Sequence, residues 1–160
     1  MNPTPAHFMT SFQNDLHKII SAAGDAMVVC DSAGLITLWN PAAERMFGHS
    51  KEQALGQSLD IIIPERQRAR HWDGYHKTAA SGITKYGHDL LKVPALHRDG
   101  HTLSIAFSIS LLKGEGQDSD KVVGMLSIIR DETTRFAEER SLKKRLAELE
   151  LQVRGNAPQS

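Results

Sequence analysis

The segment that most constrains the fold is a run of alternating apolar and polar residues between Thr102 and Leu112. A period of two is the pattern of a strand that buries one face and turns the other face to water. Arg98-Asp99-Gly100 precedes the run and has the chemistry of a hairpin turn. The chain therefore contains a hairpin strand with one apolar face, made of Leu103, Ile105, Phe107, Ile109 and Leu111.

Four other segments are rich in strand-forming residues, which brings the expected number of strands to five. Pro94 interrupts one of them, and a proline inside a strand indicates an edge or a bulge. Asn40 and Pro41 begin a helix after the second strand, as N-cap and first helical residue. The other strands are predicted at Ala26–Cys30, Leu35–Trp39, Asp89–His97 and Lys121–Arg130, and the inserted helices at Pro41–Phe47, Lys51–Leu55 and Glu65–Ala80.

Helical segments flank this core on both sides. We expect an N-terminal cap helix within residues 1–23, a core domain over residues 24–133, a C-terminal amphipathic helix over residues 134–154 and a disordered tail over residues 155–160. The cap helix carries one apolar stripe, made of Phe8, Phe12, Leu16, Ile19 and Ile20. The C-terminal helix carries two heptads of a coiled-coil seam, made of Leu142, Leu146, Leu149 and Val153.

The composition of the 160 residues narrows the classes of function. Lys+Arg and Asp+Glu number 19 each, which argues against an electrostatic footprint for nucleic acid. Cys30 is the single cysteine, so no intramolecular disulfide can form, and no apolar run reaches the roughly 18 residues of a membrane span. We therefore expect a cytoplasmic protein with no nucleic-acid or membrane partner. Neither a phosphate-binding glycine loop nor a Gly-x-Ser-x-Gly elbow occurs, so an enzyme is not expected.

Four short motifs follow one another in a recognisable order. Trp39–Gly48 resembles a strand-to-helix signature, and Glu52–Gly56 is similar to the turn that follows it. Arg98–Gly100 is similar to a hairpin between late strands, and Arg130–Thr133 resembles the motif that ends the core and starts a signalling helix. These motifs are those of the PAS family of sensory domains, which the chain resembles over about residues 16–133.

The resemblance implies an α+β fold, in which a five-stranded antiparallel sheet holds a ligand between its inner face and the short helices. Members of this family sense and dimerise, and they rarely catalyse. No kinase or cyclase segment follows the C-terminal helix, so we expect a standalone sensory module. It would form a homodimer and pass its signal through the terminal helices to a downstream signalling protein. The alternative is a ligand-free module that only binds protein partners.

The resemblance also bears on the cofactor. Light-sensing members that bind flavin need a reactive cysteine at the start of the long helix, and residues 56–63 contain none. The chain is therefore not expected to be a cysteinyl-adduct flavin photoreceptor. Cys30 lies on the first strand, where small buried cysteines are common and inert.

Haem-binding members use one histidine of the long helix as an axial ligand to iron, through its neutral imidazole. In rhizobial oxygen-sensing kinases and related haem phosphodiesterases, it follows by seven residues the proline that opens this stretch. That position is His71 here, counted from Pro64. If the alignment is anchored on Asp73-Gly74-Tyr75 instead, Trp72 takes the ligand position and haem is not expected. Both alignments stay open, with haem b or an unidentified small apolar ligand as the expected occupant.

The resemblance implies a set of residues around the ligand, with His71 as the metal ligand. The comparable oxygen sensors place an arginine or a methionine on the strand after the helix, and His88–Leu91 has neither. Sensing of carbon monoxide or nitric oxide is then as plausible as oxygen sensing. The expected cofactor-binding residues are His71, Tyr75, Leu91, Leu103, Ile105 and Phe107.

Two other histidines, His97 and His101, flank the predicted hairpin turn. No cysteine or carboxylate cluster accompanies them at zinc-like spacing, so no zinc site is predicted there.

Overall fold

Five antiparallel strands form one sheet in the computed structural model, which describes the backbone of residues 5–84 and 89–155 and the side chains of residues 13–84 and 89–153. Their order across the sheet is β2-β1-β5-β4-β3, so the first and last strands of the chain are neighbours. This confirms the α+β fold that the resemblance implied. The strands are β1 (Ala26–Asp31), β2 (Ile36–Trp39), β3 (Leu91–Leu96), β4 (Thr102–Lys113) and β5 (Val122–Asp131).

The apolar alternation of β4 defines the packed face of the sheet. Residues that are directly opposite on neighbouring strands point to the same face. Phe107 lies opposite Leu91 on β3 and opposite Ile129 on β5, and Ile105 lies opposite Val93. Ile105 and Ile129 are buried, so this is the inner face.

The core lies between the inner face and the helices inserted after β2. These are α2 (Pro41–Phe47), α3 (Lys51–Ala54) and α4 (Glu65–Ser81). Buried residues of all three join the sheet residues in one apolar cluster, and the segment between α3 and α4 adds two isoleucines to it. The contributors from this side are Ala42, Ala43, Phe47, Ala54, Ile62, Ile63 and Tyr75.

Polar caps fix where the inserted helices begin and end. The Asn40 side chain accepts a hydrogen bond from the Ala43 amide, which confirms the predicted N-cap of α2. Ser50 and Gln53 form a reciprocal capping box at the start of α3. Gly82 ends α4 in the left-handed conformation, which a residue without Cβ adopts without strain.

Strand β3 is shorter than the predicted Asp89–His97. It begins at Leu91, and it ends at Leu96 because the next residue already belongs to the turn, where the His97 amide donates to the His101 carbonyl. Pro94 lies in this strand, which is at the edge of the sheet, as its sequence position predicted. An edge strand leaves one row of backbone groups outside the ladder, so the missing proline N–H is tolerated there.

The flanking helices α1 (Pro5–Ala22) and α5 (Thr133–Gly155) leave apolar side chains in solvent. Leu16 and Ile19 of α1 are exposed, whereas the side chains of Phe8 and Phe12 lie outside the described residues. The predicted tail also lies outside them from residue 156 onward. Among the described helices, none is both long and apolar enough to cross a bilayer. All four residues of the predicted seam on α5 are exposed: Leu142, Leu146, Leu149 and Val153.

Candidate functional site

Helix α4 turns one stripe of side chains towards the protein. Tyr75 is buried, and Trp72 and Ala79 pack against the core cluster. Arg68 continues the stripe by donating from its guanidinium to the carbonyls of Ile63 and Asp60. Residues three and four apart share a helix face, so the packed side of α4 is set by this spacing.

The indole of Trp72 has two contacts that fix its position. Its Nε1–H donates to Asp60 Oδ1 over 2.8 Å. Its six-membered ring lies directly over Gly34, because a Cβ built on that glycine would be 2.2 Å from a ring carbon. Trp72 therefore covers the turn between β1 and β2, and its one polar group is hydrogen-bonded within the protein.

Tyr75, one turn further along, is also held at β1. Its hydroxyl donates to the Asp31 carbonyl at the end of that strand. Burial raises the pKa of Tyr75, with the neighbouring Cys30 and Asp31 adding to the effect. The phenol is thus a protonated donor whose partner is the protein backbone.

His71 lies next to these two aromatic residues but lacks a comparable partner. Its ring is 4.9 Å from that of Trp72 and 5.8 Å from that of Tyr75, measured between centroids. Its Nδ1 is buried and has no hydrogen-bond partner. Burial lowers the pKa of His71, against an opposing effect of the Asp60 carboxylate. A neutral imidazole with an unused nitrogen is the form that binds a metal.

The sheet residues of the predicted site share the inner face. Leu103 and Ile105 are buried in the same apolar cluster as Tyr75, and Phe107 packs against it. Leu91 is half-buried and faces Phe107 across the β3–β4 pair. The structure therefore gathers Tyr75, Leu103, Ile105 and Phe107 in one cluster, with Leu91 at its edge strand and His71 beside Tyr75 on α4.

Cys30 is buried on β1, away from the start of α4, and burial raises the pKa of its thiol to about 12. A thiol of this kind stays protonated near neutral pH, and the thiolate is the reactive form. The position and ionisation state of Cys30 are those of a structural residue.

Two further groups of polar residues escaped the sequence-based prediction. His49 has a buried Nε2 without a partner, and no pattern in the sequence marked it. At the β3–β4 turn, the carboxylate of Asp99 contacts Nδ1 of both His97 and His101. No zinc site was predicted here, for want of a cysteine or carboxylate cluster, but the tight turn brings alternate residues together and puts one carboxylate beside both histidines. The His-x-Asp-x-His spacing was the signal that could have found them.

Known proteins were compared with the chain over this same region. The profile of the PAS fold family matches residues 14–104. The sensor protein FixL of Bradyrhizobium diazoefficiens is 35% identical over 108 residues, which are 66% of this chain and 21% of FixL. The oxygen sensor protein DosP of Escherichia coli is 23% identical over 109 residues, which are 68% of this chain and 13% of DosP. The chain thus spans about a fifth or less of these relatives.

Solved structures agree with the profile. A PAS domain from Colwellia psychrerythraea superposes with a TM-score of 0.65 at 29% identity, over 77% of this chain and 98% of that domain. The matched profile covers more than half of the 160 residues. The chain belongs to the PAS fold family and is homologous to segments of sensor proteins.

Proposed function

We propose that this domain is a haem-based gas sensor in which His71 is the axial ligand. The observation that carries the proposal is the buried, unpartnered Nδ1 of His71 on the packed side of α4. Histidine ring nitrogens are assigned from their surroundings, so the relevant feature is a neutral ring with one nitrogen left unused. Haem, when bound, supplies an iron that takes up a diatomic gas.

The surroundings of Trp72 support His71 over Trp72 as the residue at the ligand position. The indole Nε1–H donates to Asp60 and the ring covers Gly34, so these contacts hold the Trp72 side chain at the β1–β2 turn. His71 is therefore the residue of this pair that remains available to a ligand. Indole is in any case a hydrogen-bond donor only and has no lone pair for iron.

The inner face of the sheet would supply apolar walls to a ligand bound beside α4. Leu91, Ile105 and Phe107 of the inner face exclude water and hold a flat apolar ligand by contact. The Tyr75 hydroxyl is used by Asp31, so it is not free to donate to a gas. The likeness to DosP, an oxygen sensor, supports a gas as the signal. The apolar walls favour carbon monoxide or nitric oxide, which depend less on a hydrogen-bond donor.

Haem reconstitution of the full chain tests this proposal. We expect an intense Soret band after addition of haemin, and we expect His71→Ala to lose it, because the ring supplies the axial nitrogen. Exogenous imidazole should restore the band in His71→Ala. The matched control is His76→Ala, since His76 is an exposed histidine of the same helix. Circular dichroism melting checks that each variant is folded.

A Soret band that is unchanged in a folded His71→Ala variant would contradict His71 as the ligand. A wild-type protein that stays colourless would instead favour the second candidate function, a ligand-free interaction module. The observation in favour of that candidate is the row of exposed apolar residues on α5. A row of this kind is typical of a surface that binds another helix.

Transmission of the signal is proposed to run from the inner face to α5 in a homodimer. Ser104 lies on β4 between two inner-face residues. Its carbonyl accepts from the Glu132 amide, and its amide donates to Thr133 Oγ1 in the first turn of α5. A shift of β4 is therefore passed directly to the base of α5. Coupling of this kind needs only a small displacement of a packed element.

Deletion of residues 136–160 is expected to convert the dimer into a monomer, because it removes the exposed seam of α5. Light scattering after size-exclusion chromatography measures the mass. A sharper test compares Leu146→Glu, on the seam, with Leu151→Glu, which is also exposed on the same helix but lies off the seam. The first should dissociate the dimer and the second should not. A truncated chain that stays dimeric would place the interface elsewhere.

A further inference from the structure

The turn between β3 and β4 brings three potential metal ligands together. Asp99 Oδ1 is 2.9 Å from His97 Nδ1 and 2.5 Å from His101 Nδ1. The two imidazole rings are stacked, with centroids 4.4 Å apart and planes inclined by 21°. One ligand atom from each residue lies within 4.8 Å of the other two. Among the described residues, no other group of histidine, cysteine and carboxylate side chains is arranged in this way.

The rest of the protein holds this turn in place. The Arg98 amide donates to the Phe47 carbonyl at the end of α2, and the Arg98 guanidinium donates to Gln53 of α3. The His97 ring lies so close to Gly48 that a Cβ on that glycine would be 2.6 Å from His97 Nε2. This packing directs the other nitrogen of His97, Nδ1, towards Asp99. The site is therefore ordered before any ligand arrives, which lowers the entropy cost of binding.

The hydrogen bonds within the turn bring one carboxylate oxygen and two ring nitrogens to the same place. Asp99 Oδ1 faces Nδ1 of both rings, and His97 Nδ1 is also approached by the Asp99 amide over 3.2 Å. A nitrogen that accepts from an N–H carries its lone pair, and this lone pair faces a carboxylate oxygen. One cation between the three atoms would take both ring nitrogens and the carboxylate oxygen as its ligands.

We propose that His97, Asp99 and His101 form a binding site for a divalent transition-metal ion, with Zn²⁺ as the representative ligand. Two imidazoles and one carboxylate are a donor set that zinc accepts, and bond lengths of about 2.0–2.1 Å put neighbouring ligand atoms about 3.3 Å apart in a tetrahedral site. The distances to Asp99 Oδ1 are close to this separation, so small side-chain rotations suffice. Hard ions such as Mg²⁺ prefer oxygen ligands and are disfavoured.

The fourth position of such a site opens to solvent. The side chains of Asp99 and His101 are more than half exposed. Three protein ligands and an open position leave room for water or for a donor from another molecule. The metal would tie β3 to β4 at the end of the hairpin that carries Leu103 and Ile105, and it involves no residue of the proposed haem site.

Calorimetric titration of Zn²⁺ into the full chain, without a histidine tag and stripped with a chelator, tests the site. We expect one ion per chain. We expect His101→Ala and Asp99→Asn each to weaken binding by about tenfold or more, because each removes a ligand, and loss of outer partners alone costs about 10–100-fold. The control His17→Ala, another exposed histidine, should bind as the wild type does. A rise in melting temperature on adding Zn²⁺ should accompany binding and vanish in both variants.

Equal zinc affinity in the wild type and in a folded His101→Ala variant would overturn the proposal, as would wild-type protein that binds no ion. Asp99→Asn keeps the size of the turn residue, so a loss of binding with unchanged circular dichroism assigns the effect to the carboxylate. Zinc binding in His71→Ala should be unchanged, which separates this site from the haem proposal.

Discussion

Replacing Asn40 by alanine is expected to lower the free energy of unfolding by about 3–5 kcal/mol. Asn40 is 2% exposed. Its Oδ1 accepts from the amides of Met27 and Ala43, and its Nδ2 donates to the carbonyls of Ile20 and Asp25. Removal of the amide takes away the cap of α2 and leaves the other backbone groups without their partner.

Asn40→Ser separates the two roles. A serine keeps an oxygen that can cap α2 but is too short to reach the carbonyls of Ile20 and Asp25. We expect Asn40→Ser to recover about 1 kcal/mol relative to Asn40→Ala, which is the usual worth of a cap. Urea unfolding followed by circular dichroism measures both variants. A loss below about 1 kcal/mol for Asn40→Ala would show that water replaces the amide and that the link is weak.

The hydrogen bonds of Asn40 show which contacts the sequence predicts and which it does not. The Asn-Pro pair predicted the N-cap, since a cap depends on residues three apart in the chain. The links to Ile20 and Asp25 depend on how α1 approaches β1, which no local pattern encodes. The strands were predicted to within a few residues for the same reason: alternation and turn chemistry are local. The end of β3 was missed because His97 is drawn into the turn by its bond to His101.

The residues of the candidate site were likewise only partly predictable from local sequence patterns. The family resemblance named His71 and Tyr75 on the long helix, and strand alternation placed Leu103, Ile105 and Phe107 on one face. The sequence left open whether His71 or Trp72 stands at the ligand position, because the contacts of Trp72 with Asp60 and Gly34, which bear on this choice, are not visible in it. These residues are distant in sequence, and their proximity follows only from the folded arrangement of α4 over the β1–β2 turn.

The position of Trp72 over the β1–β2 turn leads to the second large loss of stability that we predict. Gly34→Ala is expected to destabilise the domain by about 2–5 kcal/mol. The glycine has φ of +86°, where a residue with a Cβ loses about 1–2 kcal/mol. The added methyl group would also meet the ring of Trp72 at 2.2 Å, a contact that forces the indole to move. Thermal and urea unfolding, with tryptophan fluorescence as the probe, measure the loss.

Gly56→Ala is the matched control, because Gly56 has φ of +76° but nothing within 4 Å of an added Cβ. It should show the backbone cost alone, so the difference between the two variants measures the clash with Trp72. In a double-mutant cycle, Trp72→Ala should cancel that difference, with a coupling of about 1–3 kcal/mol. Equal losses in Gly34→Ala and Gly56→Ala would mean that the indole does not lie over the turn. The position of Trp72 would then no longer support His71 as the ligand, and the case for His71 would rest on the absorbance spectra alone.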